Sequence, residues 1–143
     1  MNPLYTATAS AKGGREGHVK TDDSVIDLDI AMPKALGGSG NPGTNPEQLF
    51  AAGYAACFGS ALGLVARMQR VQVGVVEITA HVTIGKDEGG FGLAVELVGH
   101  FPDLAPERAE ALMEAAHKVC PYSRATRGNL DVTLTVAPAV QSA

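Results

Sequence analysis

Residues 44–68 read TNPEQLFAAGYAACFGSALGLVARM, and this stretch decides the fold. Thr44 with Glu47 fits a capping box, and Asn45-Pro46 fits an N-cap followed by a first-turn proline, so a helix start is marked either way. No charged residue falls between Gln48 and Ala66. A helix that is apolar or small on every side has to be buried on every side. The run is long enough to raise the question of a membrane span. Gln48, Tyr54, Ser60, three glycines and six alanines lower its hydrophobicity, however, so a long buried central helix is expected instead. Cys57, one of only two cysteines, stands at its middle. That thiol is either inert packing or a reactive group in a dry pocket.

Around this helix, 143 residues are enough for a single domain over 1–143 with one core. Aromatics make up 5% and Trp is absent, so the core is to be built from Ala, Val, Leu and Ile. The net charge of −4, with no basic cluster, argues against a nucleic-acid partner. The first ten residues, MNPLYTATAS, lack the basic and apolar regions of an export signal. Two cysteines without such a signal point to a reducing, cytoplasmic compartment, where a cysteine pair is more often catalytic than structural.

Before the helix, LYTATA (4–9) reads as a first strand, with turns at Lys12-Gly13-Gly14 and Asp22-Asp23. Ser24 to Ile30 alternates, with Ile26, Leu28 and Ile30 on one face, and predicts a half-buried strand closing an N-terminal β-meander. Residues 32–45 form a Gly/Pro-rich loop. After the helix, Val76, Ile78, Ala80, Val82 and Ile84 share one face of a strand. Residues 86–90 turn, and Phe91, Leu93, Val95 and Leu97 return. Ala109, Leu112, Met113, Ala116, Val119 and Cys120 share one face of a second helix that Pro121 stops. A last strand runs from Leu130 to Val136, and the tail PAVQSA (138–143) is read as loose. The order βββ-α-ββ-α-β, with two helices, is α+β.

Cys57 and Cys120 lie 63 positions apart, with neither CxxC nor zinc spacing, so no metal site is expected. Each is on the buried face of a different helix. A single buried cysteine is ordinarily a small hydrophobe; two on facing helices suggest a redox pair. Cys57 lies beyond the reach of its helix's positive end, and desolvation raises a thiol's pKa, so a nearby cation is needed to make it reactive. Cys120, at a helix C-terminus, is the poorer anion, which makes Cys57 the attacker. Arg15, in the turn Gly13-Gly14-Arg15-Glu16-Gly17, is the candidate cation, against the plain alternative of a solvated turn arginine. Glu47 is its candidate partner, although capping alone would explain Glu47. Ten residues of helix rise about 15 Å, so Glu47 and Cys57 do not both reach one guanidinium unless the helix start folds back or a second subunit contributes. The histidines His18, His81, His100 and His117 show no ligand spacing.

The runs GGSGNPGTNPEQLFAAGYAACF (37–58), GREGHV (14–19) and VCPYSRATRGN (119–129) closely resemble the organic hydroperoxide resistance proteins, relatives of the osmotically inducible protein OsmC. The resemblance implies the OsmC-like fold as an intertwined homodimer, and a peroxidase reducing organic hydroperoxides to alcohols. It implies Cys57 as peroxidatic and Cys120 as resolving cysteine, joined in a disulfide during turnover. It implies Arg15 stabilising the thiolate and Glu47 holding Arg15. No bound cofactor is implied; the reductant is an external dithiol, the dihydrolipoyl group of a lipoylated protein. Phe50, Tyr54, Phe58 and Met113 are candidate lining for an apolar substrate pocket, or plain core. Two other readings stand beside this one. The first is the osmotically inducible type with a broader peroxide range; the second is a non-catalytic small-ligand-binding dimer.

Overall fold

The structure, a computed structural model, describes residues 1–138, in two units, 1–49 and 50 onward. The tail reading at 139–143 lies outside the described residues.

The first unit holds three antiparallel strands in sequential order, β1 (Ala9–Lys12), β2 (His18–Thr21) and β3 (Asp27–Asp29). The chain reverses between β1 and β2 through a 3-10 turn, Gly14–Glu16, entered by Gly13 at φ 84° and Gly14 at φ 58°. Only glycine takes such angles without strain. Gly17 closes the reversal so tightly that a Cβ there would stand 1.7 Å from the Lys12 carbonyl oxygen. Pairing counted back from this turn joins Lys12 to His18 and Ala9 to Thr21, and there β2 ends. The first strand is therefore residues 9–12 and not 4–9; Leu4 and Tyr5 are exposed.

The strand expected over 24–30 shortens for a similar reason. Asp23 Oδ1 accepts hydrogen bonds from Thr21 Oγ1 and the Val25 N–H, an Asx turn that holds Ser24 at φ 64° and delays pairing until Asp27. Of its apolar face Ile30 is buried, whereas Leu28 is 45% exposed. The Gly/Pro-rich loop is tied at its ends by a parallel bridge between Ile30 and Thr44, and it contains a 3-10 turn, Lys34–Leu36.

Helix α1 (Pro46–Met68) begins in the first unit. Asn45 is the cap: its Oδ1 accepts the Gln48 N–H at 2.8 Å, while Thr44 Oγ1 turns to Gln48 Oε1. That resolves the two possible starts in favour of Asn45-Pro46 and leaves the Glu47 carboxylate free of capping.

The second unit adds strands β4 (Glu77–Asp87) and β5 (Gly90–His100), helices α2 (Pro106–Val119) and α3 (Pro121–Thr126), and strand β6 (Val132–Val136). The sheet order is β4-β5-β6, antiparallel then parallel. A parallel neighbour requires a crossover, which α2 and α3 supply. Val76, Ile78, Ala80, Val82, Val95 and Leu97 face the core, as their alternation predicts; Phe91 and Leu93 extend past it and are exposed. Against this sheet pack Ala109, Leu112, Met113 and Ala116 of α2 and Tyr54, Phe58, Leu62 and Val65 of α1. Val119, expected on the buried face of α2, is 44% exposed because the helix ends there.

Two further features depart from the sequence reading. Pro121 stops α2 but also serves as the first residue of a third helix, α3, since a proline that cannot continue one helix is well suited to begin another. Helix α1 buries one side only: Ala52, Ala56, Ser60, Leu64 and Met68, every fourth residue, stay exposed in the single chain. By length and composition α1 could cross a membrane, with a mean hydropathy of 1.7, yet its large side chains enter the core.

Candidate active site

The chemistry-bearing side chains form two groups, one in each unit. In the first, Arg15 projects from the glycine-bounded turn and Glu47 from the first turn of α1. The guanidinium meets the carboxylate with both arms: Nη1 donates to Oε2 at 2.9 Å and Nη2 to Oε1 at 2.7 Å. This bidentate fork fixes orientation as well as distance. Hydrogen bonding to Arg15 holds the Glu47 carboxyl below its ordinary pKa and lifts that of Arg15, so both stay charged. The position of Glu47 at a helix N-terminus also favours its negative charge.

In the second group, Cys57 on α1 and Cys120 between α2 and α3 are both free thiols, with their sulfurs 3.6 Å apart. Cys120 is wholly buried; Cys57 keeps partial exposure. Burial pushes the Cys57 thiol above its ordinary pKa; the Tyr122 backbone N–H opposes this, and the Cys120 thiol adds to it. None of these influences is a cation, and their net effect disfavours the Cys57 thiolate.

The expected pocket residues divide. Tyr54, Phe58 and Met113 are core side chains, each 0–1% exposed. Phe50 is half-buried, edge-on to Tyr54 at 5.9 Å between ring centres. Tyr122 completes this aromatic cluster, 5.6 Å from Tyr54 and 6.2 Å from Phe50. Gly53 makes room for it, because a Cβ there would come within 2.8 Å of the Tyr122 hydroxyl. Sequence reasoning singled out neither residue; the only hint was that Tyr122 follows Cys120 by two positions. The histidines do not gather. Among the described residues no group of three or more His, Cys, Asp or Glu could hold a metal. His18 instead bonds to Asp27 and Asp29, which raises its pKa.

Comparison with known proteins identifies the family. Residues 37–135 match the family profile described as OsmC-like protein. The organic hydroperoxide resistance protein OhrB of Bacillus subtilis is 55% identical over 133 residues, spanning 92% of this chain and 96% of its own. This chain belongs to the organic hydroperoxide resistance proteins of the OsmC-like family. The corresponding protein of Xanthomonas axonopodis pv. citri is 52% identical, over 94% of this chain and 95% of its own. The crystal structure of the Bacillus OhrB superposes with a TM-score of 0.88 at 53% identity, covering 94% of this chain and all (100%) of that one. A family member from Legionella pneumophila gives 0.89 at 52%, covering 96% and 100%. An osmotic-stress protein from Psychrobacter arcticus, at 15% identity and 0.67, shares the fold alone.

Proposed function

We propose that this protein is a thiol-dependent peroxidase that reduces organic hydroperoxides to alcohols. The observation that carries the reading is the pair of free thiols 3.6 Å apart, one partly open and one sealed, in a chain whose relatives are organic hydroperoxide resistance proteins. Cys57, which a substrate can reach, attacks the distal peroxide oxygen as thiolate; the O–O bond breaks, alcohol leaves, and Cys57 becomes a sulfenic acid. Cys120 then attacks the Cys57 sulfur, releasing water and forming a disulfide, which an external dithiol reduces. The dihydrolipoyl group of a lipoylated protein is the reductant that the family resemblance implies.

The thiolate needs a positive charge, which Arg15 supplies, oriented by Glu47. The same charge offsets the negative charge developing on the departing oxygen. Arg15 belongs either to the same chain or to a partner subunit in an intertwined homodimer. The exposed stripe of α1 and the exposed Leu4, Tyr5 and Phe91 support such a dimer, because a single chain leaves them uncovered. Half-buried Phe50, with the buried Tyr54 behind it, offers the site an apolar side that favours fatty or aromatic peroxides over hydrogen peroxide. The protein works in the cytoplasm, whose reducing poise returns both thiols to the starting state.

Mass spectrometry of the reduced protein after one equivalent of cumene hydroperoxide tests the reading. Loss of two hydrogens, with a peptide linked through Cys57 and Cys120, is the expected outcome. Two unmodified thiols would instead favour a ligand-binding dimer, and equal turnover of hydrogen peroxide would favour the broader osmotically inducible type.

A further inference from the structure

Ser123 is wholly buried, and none of the chemistry above uses it. Its Oγ lies 2.8 Å from the Tyr54 hydroxyl and 2.8 Å from His117 Nδ1. Each member of this network stands one helical turn from a cysteine. Tyr54 precedes Cys57 by three residues on α1. His117 precedes Cys120 by three on α2, and Ser123 follows Cys120 by three on α3. A buried hydroxyl costs free energy unless it is fully bonded, and a fully bonded network specifies one arrangement of the elements it joins. The Tyr54 hydroxyl also lies 3.4 Å from Thr126 Oγ1. With His117 neutral, all three groups are satisfied when Tyr54 donates to Ser123 and Ser123 to His117 Nδ1. Burial and the charge of Arg127 lower the His117 pKa and favour that neutral form.

What this network joins is specific. Cys120 has left the helical conformation, at φ −59° and ψ 126°, because Pro121 disfavours a helical residue before it. The thiol therefore sits on a break between two helices. The following helix, six residues long, is too short to be stable alone. Arg127 donates to the His117 carbonyl oxygen at 2.6 Å and braces the break from outside; Ser123 fastens it to α1 from inside. The sulfurs must close from 3.6 Å to the roughly 2.05 Å of a disulfide, so the attack depends on how firmly that break is held against α1.

We infer that Ser123, bonded to Tyr54 and His117, is a positioning residue for the closure of the Cys57–Cys120 disulfide. It touches neither reacting sulfur in this role. It sets the aim of the Cys120 thiol at the Cys57 sulfur, where the new S–S bond displaces what Cys57 carries: hydroxide, leaving with a proton as water, from a sulfenic acid, or a thiolate from a mixed disulfide. The peroxide version of this step rests on the function proposed above, so the test uses a leaving group that does not.

Reduced protein is treated with 5,5′-dithiobis(2-nitrobenzoate) and the coloured thiolate is followed by stopped flow. The first release reports capture of Cys57 as a mixed disulfide; the second reports displacement by Cys120. Ser123→Ala is expected to slow the second release about tenfold, the scale of one lost orienting hydrogen bond, with the first release changed less than about twofold. Ser123→Thr, which keeps the hydroxyl, is expected to restore the second release to within about threefold of the parent. Tyr54→Phe, which removes the bond and keeps the ring, is expected to slow it by about threefold or more and stands in if Ser123→Ala does not fold. An unchanged second release in the folded variants, or equal slowing of both releases, overturns the inference. A parent protein that closes its disulfide here but ignores organic hydroperoxide would sink the proposed function and leave the positioning role of Ser123 standing.

Discussion

The two charged or reactive pairs of this molecule are built on opposite principles. Arg15 and Glu47 are fully charged groups at the edge of a small, open meander, held by a fork of two short hydrogen bonds. Cys57 and Cys120 are free thiols in an apolar core, held by the packing of α1 against α2 and α3. The first pair is ionised without help, each partner stabilising the charge of the other. In the second, burial penalises the ionisation of Cys57 and pushes its pKa up. A dry setting protects a sulfenic acid from side reactions and also suppresses the thiolate that forms it. In the peroxidase proposed above, the second region is the shelter and the first the source of charge.

The largest expected effect breaks the thiol pair. Cys57→Ser should reduce peroxide turnover by roughly a thousandfold or more, the scale of losing a covalent nucleophile. Cys120→Ser should still be oxidised by one equivalent and leave a sulfenic acid that dimedone traps on Cys57. Trapping on Cys120 in the reciprocal variant would reverse the two roles. Next comes the cation. Arg15→Ala should slow Cys57 oxidation by about a hundredfold, as when a charge-stabilising donor is removed. The Cys57 titration should then move towards or above the free thiol value of about 8.5. Iodoacetamide labelling as a function of pH measures this, and an unchanged titration would exclude Arg15 from the site.

Glu47→Gln should have a smaller effect on rate, about tenfold, because the guanidinium keeps its charge and loses only its orientation. Its effect on stability has a definite sign. The folded-state pKa of Glu47 is lowered by Arg15, so the parent draws stability from this pair above the ordinary carboxylate range. That contribution fades as pH falls below about 4.3 and through the lowered value. Urea midpoints of parent and Glu47→Gln should differ by a constant amount at neutral pH and converge in acid; divergence in acid would contradict the pairing. Smallest is the helix start. Asn45→Ala removes the acceptor for the Gln48 N–H and should cost about 1 kcal/mol. The loss should show as a lower urea midpoint, with thiol reactivity nearly unchanged.

The meander shows how far local patterning reaches. Its existence and order were legible, but two strands start late, because turn geometry outranks alternation. Gly13 and Gly14 adopt left-handed angles that set the register of β1, and the Asp23 turn delays β3. In the second unit the alternation of Val76 to Val82 and the helical spacing of Ala109 to Ala116 already identify the core face. Nothing local announces α3, since Pro121 ends one helix and starts another.

By itself, the sequence determined the α+β class, the long uncharged helix, that this helix starts within residues 44–46, and which two cysteines to watch. These follow from periodicity and backbone preference, which act over a few residues. Tertiary structure decided the contacts between distant positions: the 32-residue separation closed by Arg15 and Glu47, the 63-residue separation closed by the two thiols, and the 69-residue one closed by Tyr54 and Ser123. It also decided that α1 buries one side and exposes the other. Whether a small, uncharged face is covered depends on what else the chain brings to it, and no property of Ala52, Ala56 or Ser60 encodes that.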